Sequence, residues 1–230
     1  MTPDKLNSDR EIRILEAASK LIAHYGFDKT TVSDIAEEAG ISKGAVYLHY
    51  KSKEDLFEAL IYYEGEKVLD DLLQRIDSDP DSGSIFGLYQ HAILASIGNP
   101  LVHALMTSDM RIIGDFTRRW SSDGRVERYN LFRTELVEQL QAANVIRRDL
   151  NVDIVSYVLA LIRYGFLTIH EVIPPEKAPP LEEVGRTLGA ILERGLAPEG
   201  GGDRQAGKKV LENLLLMMRQ MLRQDRGITS

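Results

Sequence analysis

The sequence predicts an all-helical protein, with a small three-helix domain at the N-terminus and a larger helical domain behind it. Three observations predict it. Apolar residues recur at helical spacing along nearly the whole chain, and no segment shows the sustained alternation of a half-buried strand. Ser8 with Glu11, Thr31 with Asp34 and Ser52 with Asp55 each place a hydroxyl three residues ahead of a carboxylate before an apolar run, the capping-box pattern of a helix start. Glycines and turn-forming clusters separate the periodic runs.

Taken in order, the first helix is expected from about Asp9 to Tyr25, stopped by Gly26, with Ile12, Leu15, Ala18, Leu21 and Ile22 on its core face. A second, short helix runs from Val32 to Ala39 and is broken by Gly40; a third runs from about Lys43 to Tyr50. The fourth, from about Lys53 to Ile76, is long enough to act as a rod between two domains, and the turn-forming residues Asp77 to Gly83 end it. Further helices are expected over Ile85 to Ile97, Leu101 to Trp120 with a break near Ser108 or Gly114, Arg125 to Ala143, and the largely apolar Val152 to Val172. A stiff loop from Pro174-Pro175 to Pro179-Pro180 precedes a helix over Leu181 to Leu196. Pro198 and the run Gly200-Gly201-Gly202 mark a flexible linker, and Lys208 to Arg226 forms an amphipathic helix with Leu211, Leu214, Leu215, Met218, Met221 and Leu222 in one stripe. The domains are therefore read as 1–52, 53–196 with 53–76 as the connecting helix, the linker 197–207, and the C-terminal helix 208–230.

Composition narrows the chemistry. A chain of 230 residues that is 43% hydrophobic and 27% charged has the means to bury a core and is too apolar to be disordered. The absence of cysteine excludes disulfides, a cysteine-ligated metal and a cysteine nucleophile, and points to a reducing, cytoplasmic address. Charges from Asp4 to Glu16 interrupt the first segment, so no secretory signal is read. No window is expected to approach the roughly 18 to 20 apolar residues of a membrane span, so no stable membrane insertion is expected. His24, His91, His103 and His170 show no metal-ligand spacing. With no phosphate loop, nucleophile elbow or dinucleotide fingerprint, neither an enzyme nor a cofactor is expected.

The second and third helices with Gly40 between them have the dimensions of a helix-turn-helix, whose second helix sets its N-terminal residues into the DNA major groove. Ile35, Ala39, Ile41 and Val46 are its small core, and Ala36 permits close helix contact. Lys43, Gly44, Ala45, Tyr47 and His49 then sit on a helix too short and polar to be explained by packing. Gly44 costs that helix about 1 kcal/mol relative to alanine, and close approach to a phosphate backbone or base edge is a physical reason to favour it. Between Ile41 and Lys53 the charged residues are Lys43, Lys51 and Lys53, in a chain whose net charge is −7. Lysines there release counterions from phosphates and supply sequence-independent affinity. A solvated basic turn is the alternative.

The run from Thr30 to Phe57 resembles the DNA-binding domain of the TetR family of bacterial transcriptional regulators. It carries the threonine cap, the Asp34-Ile35-Ala36 core, the Ala39-Gly40 turn, the Ser42-Lys43-Gly44 start of the recognition helix, its Tyr47-x-His49-Tyr50 end, and the Lys53-Glu54-Asp55-Leu56 opening of the fourth helix. The resemblance implies that Ser42, Lys43, Gly44, Ala45, Tyr47 and His49 lie at the DNA, with Thr31 and Lys53 gripping phosphates and Ser33 a further base-contact candidate. Ala45 meets a thymine methyl or makes no contact. Tyr47 has a second reading as a lid on the small core, and Thr31 caps its helix in either case.

The resemblance also implies a homodimer on palindromic double-stranded operator DNA, most simply a repressor released by a small, largely apolar effector. An activator of the same family and a helical protein-protein adaptor are the alternatives. Val152, Val155, Leu159, Ile162 and Phe166, with Val184, Leu188, Ile191 and Leu192, are expected to form a four-helix interface, or else an internal core. Effector-lining candidates are Phe86, Tyr89, Met106, Met110, Phe116, Trp120, Phe132 and Tyr157, which equally suit simple packing. Pivoting of the fourth helix is the expected lever for release. Docking on its own domain, pairing with a partner chain and lying on an anionic membrane all suit the basic C-terminal helix, and docking within the dimer is the expectation.

Overall fold

The computed structural model describes residues 3–116 and 134–226, and among them no strand occurs. The α-helices are α1 (Pro3–Tyr25), α2 (Val32–Glu38), α3 (Lys43–His49), α4 (Lys53–Ser78), α5 (Ile85–Ile97), α6 (Pro100–Thr107), α7 (Met110–Ile113), α8 (Thr134–Ala142), α9 (Val152–Thr168), α10 (Leu181–Leu196) and α11 (Arg204–Asp225). The protein is all-α, as its periodicity predicts. The described residues group into two compact units, one of 3–67, 99–116 and 222–226, the other of 68–98 and 134–221.

In the first unit α1 begins at Pro3, upstream of Ser8, so Ser8 lies inside the helix and is not its cap. Proline suits a first turn because its missing N–H has no intrahelical partner there. Ile14, Leu15, Ala17, Ala18 and Ile22 form the buried face, whereas Ile12 is 40% exposed. The core stripe is thus rotated from the one read in the sequence. At Gly26 the backbone takes φ +85°, and an added Cβ would stand 2.2 Å from the Arg111 carbonyl oxygen. That close approach lets the Phe27 N–H donate to the Ile112 carbonyl at 2.7 Å. Phe27, Phe57 and Phe116 stack beside it with ring centroids 4.6 to 5.8 Å apart. Glu64 is a buried carboxylate, satisfied by the Asn99 side-chain amide at 2.5 Å and Lys67 at 3.2 Å. Asn99 also caps α6 by accepting from the Val102 N–H at 3.0 Å.

In the second unit α10 packs on α5. Gly189 makes this possible, since a Cβ there would fall 1.8 Å from the Phe86 ring. The Tyr89 hydroxyl, buried on α5, donates to the Leu159 carbonyl of α9. Leu136, Val137 and Leu140 of α8 join Val145 and Ile146 in the core. The segment read as a linker is tied down at its end, because the Asp203 N–H donates to the Asn144 carbonyl at 3.0 Å. From α11, Leu211, Leu215 and Met218 are buried, and Arg204, Lys208 and Arg219 pair with Asp81, Asp77 and Asp70. Gly207 faces Gly83, and an added Cβ would stand 2.1 Å from the Gly83 carbonyl oxygen. The expected breaks in the Leu101–Trp120 region both occur within the described residues: Ser108 is left-handed at φ 57° and Gly114 ends α7.

One expectation is corrected. Val152–Glu171 is long and apolar enough to cross a membrane by length and composition, contrary to the sequence reading. Its apolar residues divide between two faces. Val155, Leu159 and Leu167 are buried against the rest of the chain, while Ile154, Tyr157, Val158, Leu161 and Tyr164 are exposed.

Candidate nucleic-acid interface

The site begins with two local devices. At the start of α2 the Asp34 N–H donates to Thr31 Oγ1 at 3.2 Å and the Thr31 N–H donates back to Asp34 Oδ2 at 2.9 Å, a complete capping box. The Thr31 hydroxyl also donates to Asp34 Oδ2 at 2.7 Å, and these hydrogen bonds hold the Asp34 carboxyl below its ordinary pKa. Between α2 and α3, Gly40 takes φ +65°, a left-handed geometry that a side chain adopts at a cost. The chain then turns so that the Ile41 N–H meets the Ala36 carbonyl at 3.0 Å. Ser42 caps α3 by accepting from the Ala45 N–H at 3.2 Å.

This geometry sorts the residues by face. Val32, Ile35, Ala36, Ala39, Val46 and Tyr50 are buried, with Ile41 half-buried, and form the small core against α1. Ser42, Lys43, Gly44 and Tyr47 are exposed on the opposite face of α3; Ala45 and His49 are half-buried at its margins. Thr31 and Ser33 are exposed at the start of α2. Tyr47 is not a lid on the core. Leu48 is 88% exposed, more than any other large apolar residue in the described chain. Sequence reasoning missed it because an apolar residue next to Tyr47 and two before Tyr50 resembles ordinary core pattern; its place outside the Val46-Tyr50 register is the signal that finds it.

Gly44 has no structural reason to be glycine. An ideal Cβ there meets nothing nearer than Ser42 Oγ at 4.0 Å, and its φ is not in the left-handed region. Lys53 is different from Lys43: its ammonium lies 4.1 Å from the Phe27 ring centroid and 3.5 Å from the Asp28 carbonyl oxygen. Burial lowers the Lys53 pKa. Lys43 and Lys51 stand in solvent.

The other sequence candidates lie elsewhere. Phe86 and Tyr89 line a cavity of about 40 Å³ in the second unit, together with Phe166, Leu188 and Leu192. Met106 is half-buried on α6, Met110 is exposed, Phe116 belongs to the aromatic stack with Phe27 and Phe57, and Tyr157 is 68% exposed on α9. Trp120 and Phe132 lie outside the described residues. Of the interface candidates, Val155, Leu159 and Leu192 are buried within the chain itself, Val152, Ile162, Phe166, Val184 and Leu188 are half-buried, and Ile191 is exposed. The exposed stripe of α9 is offset by one residue from the predicted one. Among the described residues no group of three His, Asp or Glu side chains comes together to hold a metal.

A short capped helix whose buried side completes a trihelical core, and whose other side offers polar groups, lysine and an unobstructed glycine, defines a helix-turn-helix DNA-binding domain. Residues 14–60 match the family model of the bacterial regulatory proteins of the tetR family. Over those residues the chain is similar to the DNA-binding domain of that family. The chain is similar to the HTH-type transcriptional regulator YfiR of Bacillus subtilis (strain 168), 38% identical over 34% of this chain and 36% of that protein. It thus spans about a third of that relative's length. The HTH-type transcriptional repressor AcnR of Corynebacterium jeikeium (strain K411) is 28% identical over 70% of this chain and 80% of its own. The structure of the transcriptional regulator FadR from Bacillus subtilis in complex with stearoyl-CoA shares the fold, with a TM-score of 0.60 and 18% identity over 79% of this chain and 96% of that one.

Proposed function

We propose that the protein is a sequence-selective transcriptional regulator, a homodimeric repressor that binds a palindromic operator and is released by a small molecule. The observation that carries the reading is the exposed face of α3, where Ser42, Lys43, Gly44 and Tyr47 stand clear of the core and glycine leaves room for a close approach. Ser42, Lys43, Gly44, Ala45, Tyr47 and His49 address the duplex, Ser33 adds a base-edge contact, and Lys53 contributes positive charge near a phosphate. In the free protein the single hydroxyl proton of Thr31 is given to Asp34, so a phosphate contact there requires that bond to break.

Two copies place two recognition helices in successive major grooves about 34 to 36 Å apart. The apolar stripe of Ile154, Tyr157, Val158, Leu161 and Tyr164, with Ile191 of α10, supports pairing through α9 and α10. The apolar cavity beside Phe86 and Tyr89 supports an effector with an apolar part; the FadR that shares the fold holds stearoyl-CoA, which joins an apolar acyl chain to a charged coenzyme A. At about 40 Å³ it admits a ligand only if side chains move, since ligand sites span roughly 300 to 1,000 Å³. A hundredfold release of operator requires the effector to favour the non-binding geometry by about 2.7 kcal/mol. Movement of α4 is the proposed lever.

Titration of labelled promoter DNA at several salt concentrations tests the reading. Selective binding with a steep salt slope is the expected result. Equal affinity for all sequences, or no binding, sinks it.

A further inference from the structure

The C-terminal helix α11 is not required by the helix-turn-helix, yet its last residues lie in the same compact unit as α1, α2 and α3. Leu222 is buried there, packed where Gly65 of α4 has no side chain; an added Cβ at Gly65 would sit 3.3 Å from Leu222 Cδ1. Arg223 pairs with Glu66 at 3.3 Å on the same side of α4. One turn further on, Arg226 Nη2 reaches Glu11 Oε1 of α1 at 2.5 Å, with the Arg226 side chain only 19% exposed.

The same Glu11 oxygen accepts a hydrogen bond from the Tyr50 hydroxyl at 3.4 Å. Tyr50 closes the recognition helix: its backbone N–H donates to the Val46 carbonyl at 3.0 Å, and its ring is buried in the small core. The chain of contacts is therefore Arg226 to Glu11 to Tyr50, ending on the C-terminal cap of α3. Burial and the neighbouring Glu11 carboxylate both push the Tyr50 phenol above its ordinary pKa, so it remains a hydrogen-bond donor at neutral pH.

We propose that Arg226, at the end of the C-terminal helix, is a positioning residue for DNA recognition, holding Glu11 so that Glu11 fixes Tyr50 and with it the angle at which α3 leaves the trihelical core. The inference rests on the DNA-binding reading of α3. A charged hydrogen bond gives the arrangement direction as well as attraction. Without the guanidinium, the Glu11 carboxylate turns toward water, and the Tyr50 hydroxyl loses its anchor. A recognition helix held less firmly loses contacts that depend on register, while contacts that depend only on charge persist.

The test uses the full chain, a duplex enriched by that chain from a random library, and poly(dI-dC) as the unselective comparator. Arg226→Ala is expected to lower affinity for the enriched duplex roughly five- to tenfold, within the usual range for coupling between sites, with affinity for poly(dI-dC) and the salt slope unchanged. Arg223→Ala removes the same charge from the same helix and is expected to bind both DNAs as the unaltered chain does. Tyr50→Phe deletes only the hydroxyl and should reproduce the selective loss, and the Tyr50→Phe/Arg226→Ala double variant should lose no more than either alone. Arg226→Lys should restore part of the selectivity.

The proposal is overturned if Arg226→Ala binds the enriched duplex normally, if Arg223→Ala falls equally, if the salt slope flattens as for a direct phosphate ligand, or if the two single losses simply add. Should the intact chain enrich no duplex at all, the DNA-binding reading fails first and takes this inference with it. Enrichment by the intact chain with an unaffected Arg226→Ala defeats the positioning role alone.

Discussion

Replacing Gly44 by alanine separates what the recognition helix does for the fold from what it does for binding. The added methyl has open space, with its nearest neighbour Ser42 Oγ at 4.0 Å, and the backbone there needs no left-handed conformation. Alanine is about 1 kcal/mol better than glycine inside a helix, and a strain-free Gly→Ala exchange typically gains about 0.4 to 1 kcal/mol. For a chain of this size that raises the melting temperature by about 1 to 4 °C. At the DNA the sign reverses. A methyl forced into a close-packed contact costs about 1 to 3 kcal/mol, a loss of roughly five- to 150-fold in affinity. Thermal unfolding and fluorescence anisotropy on the same preparation read both quantities. A Gly44→Ala variant that is more stable and binds its operator normally would falsify the placement of this residue against the duplex. A less stable variant would contradict the open space around it.

Three further outcomes are expected. Thr31→Ala removes the side-chain half of the α2 capping box, leaving the backbone N–H bond to Asp34, and should lower stability by about 1 kcal/mol. Because folding lowers the Asp34 pKa from its ordinary 3.8, the ionised carboxylate's contribution is present above about pH 4 and fades as pH falls through the lower folded value. A pH series of chemical denaturations on the unaltered chain and Thr31→Ala should therefore draw closer in acid without meeting, because the bond from the Asp34 N–H to Thr31 Oγ1 does not titrate. Lys43→Ala should change sequence preference as well as affinity, whereas Lys53→Ala should weaken all duplexes alike and flatten the salt slope; equal loss of selectivity in both contradicts the assignment. Gly189→Ala drives a methyl into the Phe86 ring, 1.8 Å away before any shift, and should cost about 1 to 3 kcal/mol of stability, measured by urea unfolding; a neutral result means the α5–α10 packing is misplaced.

The parts of the fold that are legible in the sequence are those fixed by local chemistry. Thr31 with Asp34, Ser52 with Asp55, and Gly40 each announce a cap or turn through groups within three residues, and the structure places these in those roles. Helix faces are less legible where apolar residues surround the axis. In α1 both Ile12 and Ile14 are apolar, and only packing against other elements decides that Ile14 is buried and Ile12 is not. The same ambiguity, larger, affects α9. Its apolar residues lie on both sides, so periodicity assigns Val155 and Leu159 to an interface or an internal core, and only packing turns them inward while Ile154, Tyr157 and Leu161 are exposed. The Arg226–Glu11–Tyr50 link was invisible for another reason, since its members are 215 and 39 residues apart in sequence and no pattern relates them.

The lengths of α2 and α3, seven residues each, bear on how the DNA-reading face comes into being. Two turns of helix do not persist alone in water, because the entropic cost of nucleation outweighs the few bonds gained. Neither helix exists without the other or without the apolar side of α1 beneath them. The reading face consequently arises in one cooperative event, and amide protons in all three helices should exchange with solvent through a common opening. A copy that loses any one of these three helices would then lose the whole reading face at once, not one contact at a time.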